Sequence, residues 1–241
     1  MFAYRWLVIA PFLALSTTVF AILVIIVSAF GYPSLASRLF GRLWARVNAA
    51  VSLISIEVEG TEHIDPNTSY VIAANHQSLV DIYVLYGYLP VDFKWVMKQE
   101  LRSVPMLGAA CDMIGHIYID RSNTEAALKS IKNARSRISR GTSVVFFPEG
   151  TRSRDGRLKT FKRGAFRLAI DLGIPILPVI IHDTRHVLPS DSTELVPGHV
   201  RLEIGDPIST EGLTSDDAHE LSDRTRRAIA RSLNDDNEAN S

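Results

Sequence analysis

Asn75-His76-Gln77-Ser78-Leu79-Val80-Asp81 sets a proton acceptor and a carboxylate five residues apart, where an apolar strand gives way to a helical pattern. A His and an Asp at that spacing cannot share one straight element: at ~100° per residue they stand ~140° apart on a helix, and on a strand they face opposite sides. A turn between them brings them together. Asp81 then accepts a hydrogen bond from one imidazole nitrogen and fixes the tautomer, while the other nitrogen takes a hydroxyl proton. A core histidine beside a helix-capping aspartate suits the same residues, and the pair alone does not decide. Ser78 invites a nucleophile reading, but the Gly-x-Ser-x-Gly elbow of hydrolases is absent.

A second group, Phe147-Pro148-Glu149-Gly150-Thr151-Arg152-Ser153, also leaves an apolar strand, and Lys159, Lys162, Arg163 and Gly164 follow at the opening of a helix. Backbone amides at a helix start, a fork-shaped guanidinium and a lysine make a cradle for a phosphate monoester. A solvated basic loop is the plainer reading of the same charges, although the Pro148-Glu149-Gly150 insertion makes the run less ordinary. Gly115-His116-Ile117-Tyr118-Ile119-Asp120-Arg121 ends a strand with an arginine able to reach the same phosphate, or to make a surface ion pair worth little. Ile174-Pro175-Ile176-Leu177-Pro178-Val179 has no titratable group and reads as a buried strand lining an apolar wall.

The elements that must position these groups are short apolar runs alternating with longer mixed segments, the texture of an α/β domain with a mixed, mostly buried sheet flanked by helices. Strands are predicted at Tyr70–Ala74, Phe93–Met97, His116–Ile119, Ser143–Phe147, Ile176–Ile181 and Val200–Ile204. Helices are predicted at Ile82–Tyr88, Thr124–Ser139, Gly164–Leu172 and Ser215–Leu233, with Gly141 and Gly173 as stop signals. The predicted organisation is a membrane-anchoring segment over residues 1–56, one catalytic domain over 57–233, and a polar, disordered tail over 234–241.

No charged residue lies between Trp6 and Pro33, and Leu7–Phe30 is long enough to cross a hydrocarbon core at ~1.5 Å per residue. Val27-Ser28-Ala29 is a weak cleavage site, but the apolar run exceeds the ~7 to 15 residues of a signal peptide's core. Arg38, Arg42 and Arg46 follow at helical spacing among Leu35, Leu39, Leu43 and Val47, a pattern expected of an amphipathic helix on an anionic membrane surface. The basic excess after the apolar tract places the rest of the chain in the cytoplasm. A full span and a two-helix hairpin dipping into one leaflet both fit.

Over 241 residues, 26 Lys and Arg balance 26 Asp and Glu, so bulk charge points to no nucleic-acid partner. The single cysteine, Cys111, cannot form an internal disulfide and is expected to be a small buried residue; no Cys/His group has zinc-ligand spacing.

In this order the four blocks resemble the 1-acyl-glycerol-3-phosphate acyltransferases, the lysophosphatidic acid acyltransferases of the wider glycerolipid acyltransferase superfamily. The resemblance runs from about Val71 to Val179. It rests on His76 and Asp81 in the His-x-x-x-x-Asp pattern, on Gly115–Arg121 preceded by Lys98-Gln99-Glu100-Leu101, on Phe147–Ser153 with Lys162-Arg163-Gly164, and on Ile174–Val179. It implies that His76 is the catalytic base and Asp81 its partner, with Arg121, Glu149, Gly150, Thr151, Arg152 and Lys162 forming the acceptor site. It also implies lysophosphatidic acid as acceptor and acyl-CoA or acyl carrier protein as donor, without metal or prosthetic group. A lipid bilayer is then the working surface, at the cytoplasmic face of a bacterial inner membrane. The alternatives are another acceptor (glycerol 3-phosphate, a lysophospholipid or an amino-acid lysolipid) or a non-catalytic membrane-surface lipid-binding module.

Overall fold

The apolar runs form a seven-stranded sheet of β1 (Ile54–Glu59), β2 (Val71–Ala74), β3 (Asp92–Lys98), β4 (Ile117–Ile119), β5 (Thr142–Phe146), β6 (Ile176–Ile181) and β7 (Gly198–Ile204), in the spatial order β1-β7-β6-β2-β5-β3-β4. Every pairing is parallel except β6 with β7. The computed structural model describes residues 4–120, 130, 137–138 and 141–239; Arg121 and almost all of the helix predicted over Thr124–Ser139 lie outside the described residues. Strands β2 and β6 are buried along their whole length, which is why they read as unbroken apolar runs rather than alternating ones. Strand β1 was not predicted, and the domain boundary drawn after residue 56 cuts through it. The signal was there: Ile54, Ile56 and Val58 alternate with exposed Ser55, Glu57 and Glu59, as an edge strand with one wetted face requires.

The sheet is covered on both faces. On one side Ile72 and Ala74 pack with Leu177, Val179, Val84 and Leu85; on the other Val71 and Ala73 pack with Val144, Ile180, Phe166, Leu221 and Ile229. Odd and even residues of one strand thus feed two cores, the consequence of a period-two side-chain alternation. The first core takes α3 (Asp81–Tyr88), and the second takes α5 (Gly164–Leu172) and α6 (Ala218–Ala239). Helix α5 has the predicted bounds and closes on Gly173 at φ +64°. The tail predicted to be disordered is helical as far as Ala239; no Gly or Pro stands between Leu233 and Ala239 to stop the helix once packing of its earlier turns has nucleated it.

At the other end of the chain, α1 (Ala10–Ala29) turns at Phe30–Tyr32 and the chain returns as a helical run from Pro33 that ends in α2 (Arg42–Val51). The two arms are in antiparallel register. Tyr4 Oη donates to Val51 O (3.0 Å), Ser16 Oγ to Asn48 Oδ1 (3.0 Å) and Trp44 Nε1 to Thr17 Oγ1 (3.1 Å). The two arms thus form a helical hairpin, with the start of the described chain beside the start of the sheet. Trp6–Ala29 is long and apolar enough to cross a membrane, and only 22% of its most apolar window is buried. Leu15, Val19, Ile22 and Ile26 form one exposed stripe on α1; Leu35, Leu39 and Leu43 form another on the return arm.

Two of the three arginines of the return arm also bond within the protein. Arg42 donates to Leu89 O (3.5 Å) and Val91 O (3.1 Å), and Arg46 to Gly87 O (2.8 Å), so both satisfy carbonyls at and just past the C-terminal end of α3. On the return arm Leu35, Leu39 and Leu43 face outward, while Arg42 is half-buried and Arg38 and Arg46 are exposed. Gly41 makes the close approach possible, because a Cβ there would come within 2.5 Å of the Tyr86 ring. Helix α4 (Leu107–Met113), a glycine-containing turn without clear periodicity, packs against α1 through Ala110 and Ile114. Cys111 on α4 is buried as expected, and that burial pushes its thiol up to about 12.

Candidate active site

Because β5, β2 and β6 are adjacent and parallel, their C-terminal ends open on the same edge of the sheet, where the chain crosses over to build both halves. Sites gather at such a switch point. β2 delivers Asn75 and His76 there, β5 delivers Phe147 to Arg152, and β6 delivers His182. Asn75 extends the sheet by one side chain: its Nδ2 donates to Ile181 O (2.9 Å) and its Oδ1 accepts from Ile181 N–H (2.8 Å), in place of the backbone ladder.

His76 and Asp81 meet across the turn between them. Asp81 is fully buried, and its Oδ2 accepts from His76 Nδ1 (2.7 Å), Gln77 N–H (2.7 Å) and Ser78 N–H (2.9 Å). Those donors and the positive end of α3, which Asp81 begins, stabilise the buried charge. The carboxylate thus ties the turn before α3 to the histidine, and it makes no side-chain capping hydrogen bond to α3 itself. A carboxylate partner places the ring proton on Nδ1 and leaves Nε2 as the unprotonated nitrogen, without a partner among the described residues. The His76 side chain is 14% exposed. Its ring stacks on Phe147 with centroids 3.8 Å apart and planes 11° from parallel, and Phe147 leans on Trp95 at 5.9 Å. Ser78 is otherwise engaged: it is fully buried, its hydroxyl donates to Leu188 O (2.7 Å) and accepts from Val80 N–H (3.1 Å). It holds the turn and is not presented as a nucleophile.

The second predicted group is clamped to the same residue. Glu149 Oε1 accepts from His76 N–H (2.8 Å), and Ser153 N–H donates to His76 O (2.8 Å). Gly150, Thr151 and Arg152 therefore form an arch whose two feet both rest on the His76 backbone. The other Glu149 oxygen accepts from Lys159 N–H (3.0 Å), so this 5% exposed carboxylate joins β2, the arch and the basic loop. Burial holds its carboxyl above the usual range, against the lowering effect of the two N–H donors. Gly150 has φ +77°, and Lys162 lies so close that a Cβ on Gly150 would come within 3.0 Å of Nζ. Substitution there is strained by the backbone and would displace the flexible end of the lysine. Lys159 Nζ donates to Thr151 Oγ1 (3.1 Å) and Arg152 O (2.7 Å), while Arg152 is half-buried. The structure thus brings His76, Asp81, Glu149, Gly150, Thr151, Arg152 and Lys162 to one edge; Arg121 lies outside the described residues.

Sequence reasoning missed His182. It is buried at the end of β6, with Nε2 3.0 Å from Glu203 Oε2, a carboxylate that Arg201 also contacts at 3.1 Å. Its only signal was position, one residue beyond an apolar strand parallel to β2. Phe147, the ring beneath His76, was quoted only as the start of a motif.

A family model described as "Acyltransferase" matches residues 55–182. The chain is 34% identical over 177 residues to 1-acyl-sn-glycerol-3-phosphate acyltransferase alpha of Homo sapiens, covering 73% of this chain and 62% of that protein. It is 31% identical over 234 residues to a 1-acyl-sn-glycerol-3-phosphate acyltransferase of Chlamydomonas reinhardtii, covering 96% of this chain and 68% of the other. Its structure superposes with a TM-score of 0.79 on the crystal structure of the 1-acyl-sn-glycerophosphate (LPA) acyltransferase PlsC from Thermotoga maritima, at 25% identity, covering 96% of this chain and 92% of that one. The chain spans 62% of the length of the human and mouse relatives.

Proposed function

Since the chain belongs to the family of 1-acyl-sn-glycerol-3-phosphate acyltransferases, we propose that it transfers a fatty acyl group from an acyl-CoA or acyl carrier protein thioester to the free sn-2 hydroxyl of lysophosphatidic acid, forming phosphatidic acid. The observation that carries this reading is the Asp81–His76 pair, with Nδ1 committed to the carboxylate at 2.7 Å and Nε2 left as base. As the acceptor oxygen attacks the thioester carbonyl, its proton moves to Nε2. The tetrahedral intermediate then expels the carrier sulfur, which takes the proton back from His76, giving phosphatidic acid and a free thiol. The imidazolium formed in between lies against Asp81 and over the face of Phe147, and both stabilise a cation. No acyl-enzyme is required, in keeping with the engaged hydroxyl of Ser78.

Arg152 and Lys162, with Arg121, hold the acceptor phosphate beside the base; Gly150 and Thr151 shape that cradle. Glu149 serves it indirectly, by fixing the His76 peptide and the basic loop. The hairpin embeds its exposed apolar stripes in the cytoplasmic leaflet of a bacterial inner membrane and lies against α3, whose first residue is Asp81. That contact sets the base at the depth where both acyl chains reside.

The test is an acceptor panel with purified protein in vesicles: lysophosphatidic acid, glycerol 3-phosphate, lysophosphatidylcholine and an uncharged monoacylglycerol, each with CoA and carrier-protein thioesters. Phosphatidic acid formed fastest from lysophosphatidic acid supports the reading. Thioester consumption without acceptor, equal use of the monoacylglycerol, or no consumption at all contradicts it.

A further inference from the structure

A cleft of about 490 Å³ opens beside the catalytic turn, between the loop following the arch, the segment after β6 and the outer turns of α6. None of the residues assigned above to the acceptor phosphate lines it. Gln77, next to His76, forms one wall, and its Nε2 donates to Gly156 O (3.4 Å) across the rim. The cleft carries Arg157, Arg185, Arg226 and His186 against Asp155 and Asp183. Asp155 is already engaged, by Ser153 Oγ (3.0 Å) and Arg157 N–H (3.0 Å). Arg185 lies over Gly156, where a Cβ would come within 3.1 Å of its Nη1. Arg226 ties the cleft floor to α6 by donating to Leu158 O (3.0 Å) and Lys159 O (3.1 Å). Leu158, Ala230 and Leu233 give the same cleft an apolar side.

A transfer between two lipid-like substrates needs two polar anchorages, because each substrate has an anionic end as well as an acyl chain. The arch supplies one. We infer that this cleft is the other, and that it binds the phosphopantetheine of the acyl donor, its phosphate on Arg157 and Arg185 and its arm running past Gln77 toward His76. Coenzyme A and acyl carrier protein share that chemistry, a phosphorylated extended amide arm ending in the thioester sulfur, the phosphate continuing into a diphosphate in coenzyme A and esterified to a serine in the carrier protein. Guanidinium forks match the phosphate, Gln77 can pair with an amide, and the apolar side suits methylene groups. The inference rests on the acyltransferase reading.

The experiment is steady-state kinetics on the full chain in vesicles with Arg157→Glu, Arg185→Gln and the double variant, varying donor and acceptor separately. Arg154→Glu, an exposed arginine of the same loop that does not line the cleft, controls for general charge effects. Each cleft substitution should raise the donor KM about 10-fold or more, the scale of one charge-assisted hydrogen bond, while the acceptor KM stays within about twofold of the parent's. A loss with both CoA and carrier-protein thioesters locates the recognised group in the shared phosphopantetheine; a loss with the CoA thioester alone moves it to the nucleotide phosphates and overturns that assignment. With a phosphate-free N-acetylcysteamine thioester, parent and variants should be used alike. Unchanged donor KM in every variant, or a rise in acceptor KM instead, overturns the inference. Arg157→Glu, at an exposed position, carries the test if the double variant does not fold. Should the parent transfer no acyl group, the function fails first, and calorimetric titration with coenzyme A decides the cleft separately: weaker binding to Arg157→Glu keeps it, equal binding removes it.

Discussion

Replacing Glu149 by Gln separates a carboxylate that touches substrate from one that positions the base. In the parent both oxygens are filled from within the protein, by His76 N–H at 2.8 Å and Lys159 N–H at 3.0 Å. A glutamine offers one acceptor and turns an NH₂ group toward the other N–H, so one buried donor loses its partner at a cost of ~1 to 3 kcal/mol. Relief of the buried charge offsets part of that. For a chain of this size the change corresponds to a Tm lower by roughly 2 to 12 °C. Activity should fall with it, through kcat, because the His76 peptide is no longer fixed, while the acceptor KM stays near the parent's. The pH dependence has a definite sign. Burial raises the folded-state value of Glu149 above its unfolded one, so protonation favours the folded parent. That part of its stability is lost as pH rises through the folded value, and the gap to the non-titrating Gln variant narrows from acid toward neutral pH. Thermal melts from acid to neutral pH with kinetics in parallel provide the assay. Unchanged Tm together with a raised acceptor KM would refute the argument and return Glu149 to direct acceptor contact.

Asp81→Asn keeps a group of the same size in the turn but removes the charge facing His76, and the rate should fall ~10²-fold or more while circular dichroism is unchanged; a rate within tenfold of the parent counts against the pair. Arg152→Lys keeps the charge and loses the fork, so the acceptor KM should rise about 10-fold or more while the donor KM holds, and Lys162→Ala should do the same; an unchanged acceptor KM in both removes the phosphate cradle. Ile22→Asp, in the middle of the exposed stripe of α1, adds ~3 kcal/mol to membrane insertion and should shift the protein from vesicles to supernatant in flotation assays. Full flotation of that variant would move the anchoring surface elsewhere.

What could be read without coordinates was whatever has a local cause. β2 and β6 are apolar throughout because they are buried on both faces, and α5 is bracketed by Gly164 and Gly173. His76 and Asp81 were legible as a turn-bound pair because their spacing excludes any straight element. The residue pattern offered a phosphate cradle or a solvated basic loop, and the resemblance chose between them. The tertiary assignments were not legible: the use of Arg42 and Arg46 to satisfy carbonyls of and beyond α3, the double attachment of Glu149 to His76 and Lys159, and the stacking of His76 on Phe147 all depend on residues far apart in the chain. The hairpin lay between, since the sequence shows an apolar arm followed by an amphipathic one but only the pairing of Ser16 with Asn48 and Tyr4 with Val51 shows that they fold back together.

The central claim is that the unprotonated Nε2 of His76 accepts the acceptor's proton. The measurement that tests it most directly is the rate of phosphatidic acid formation by His76→Ala, with lysophosphatidic acid and an acyl-CoA thioester both saturating, in vesicles where flotation shows the variant fully bound. The account predicts a loss of ~10² to 10⁴ in kcat with membrane binding and Tm preserved. A folded, membrane-bound His76→Ala protein working within tenfold of the parent would contradict it.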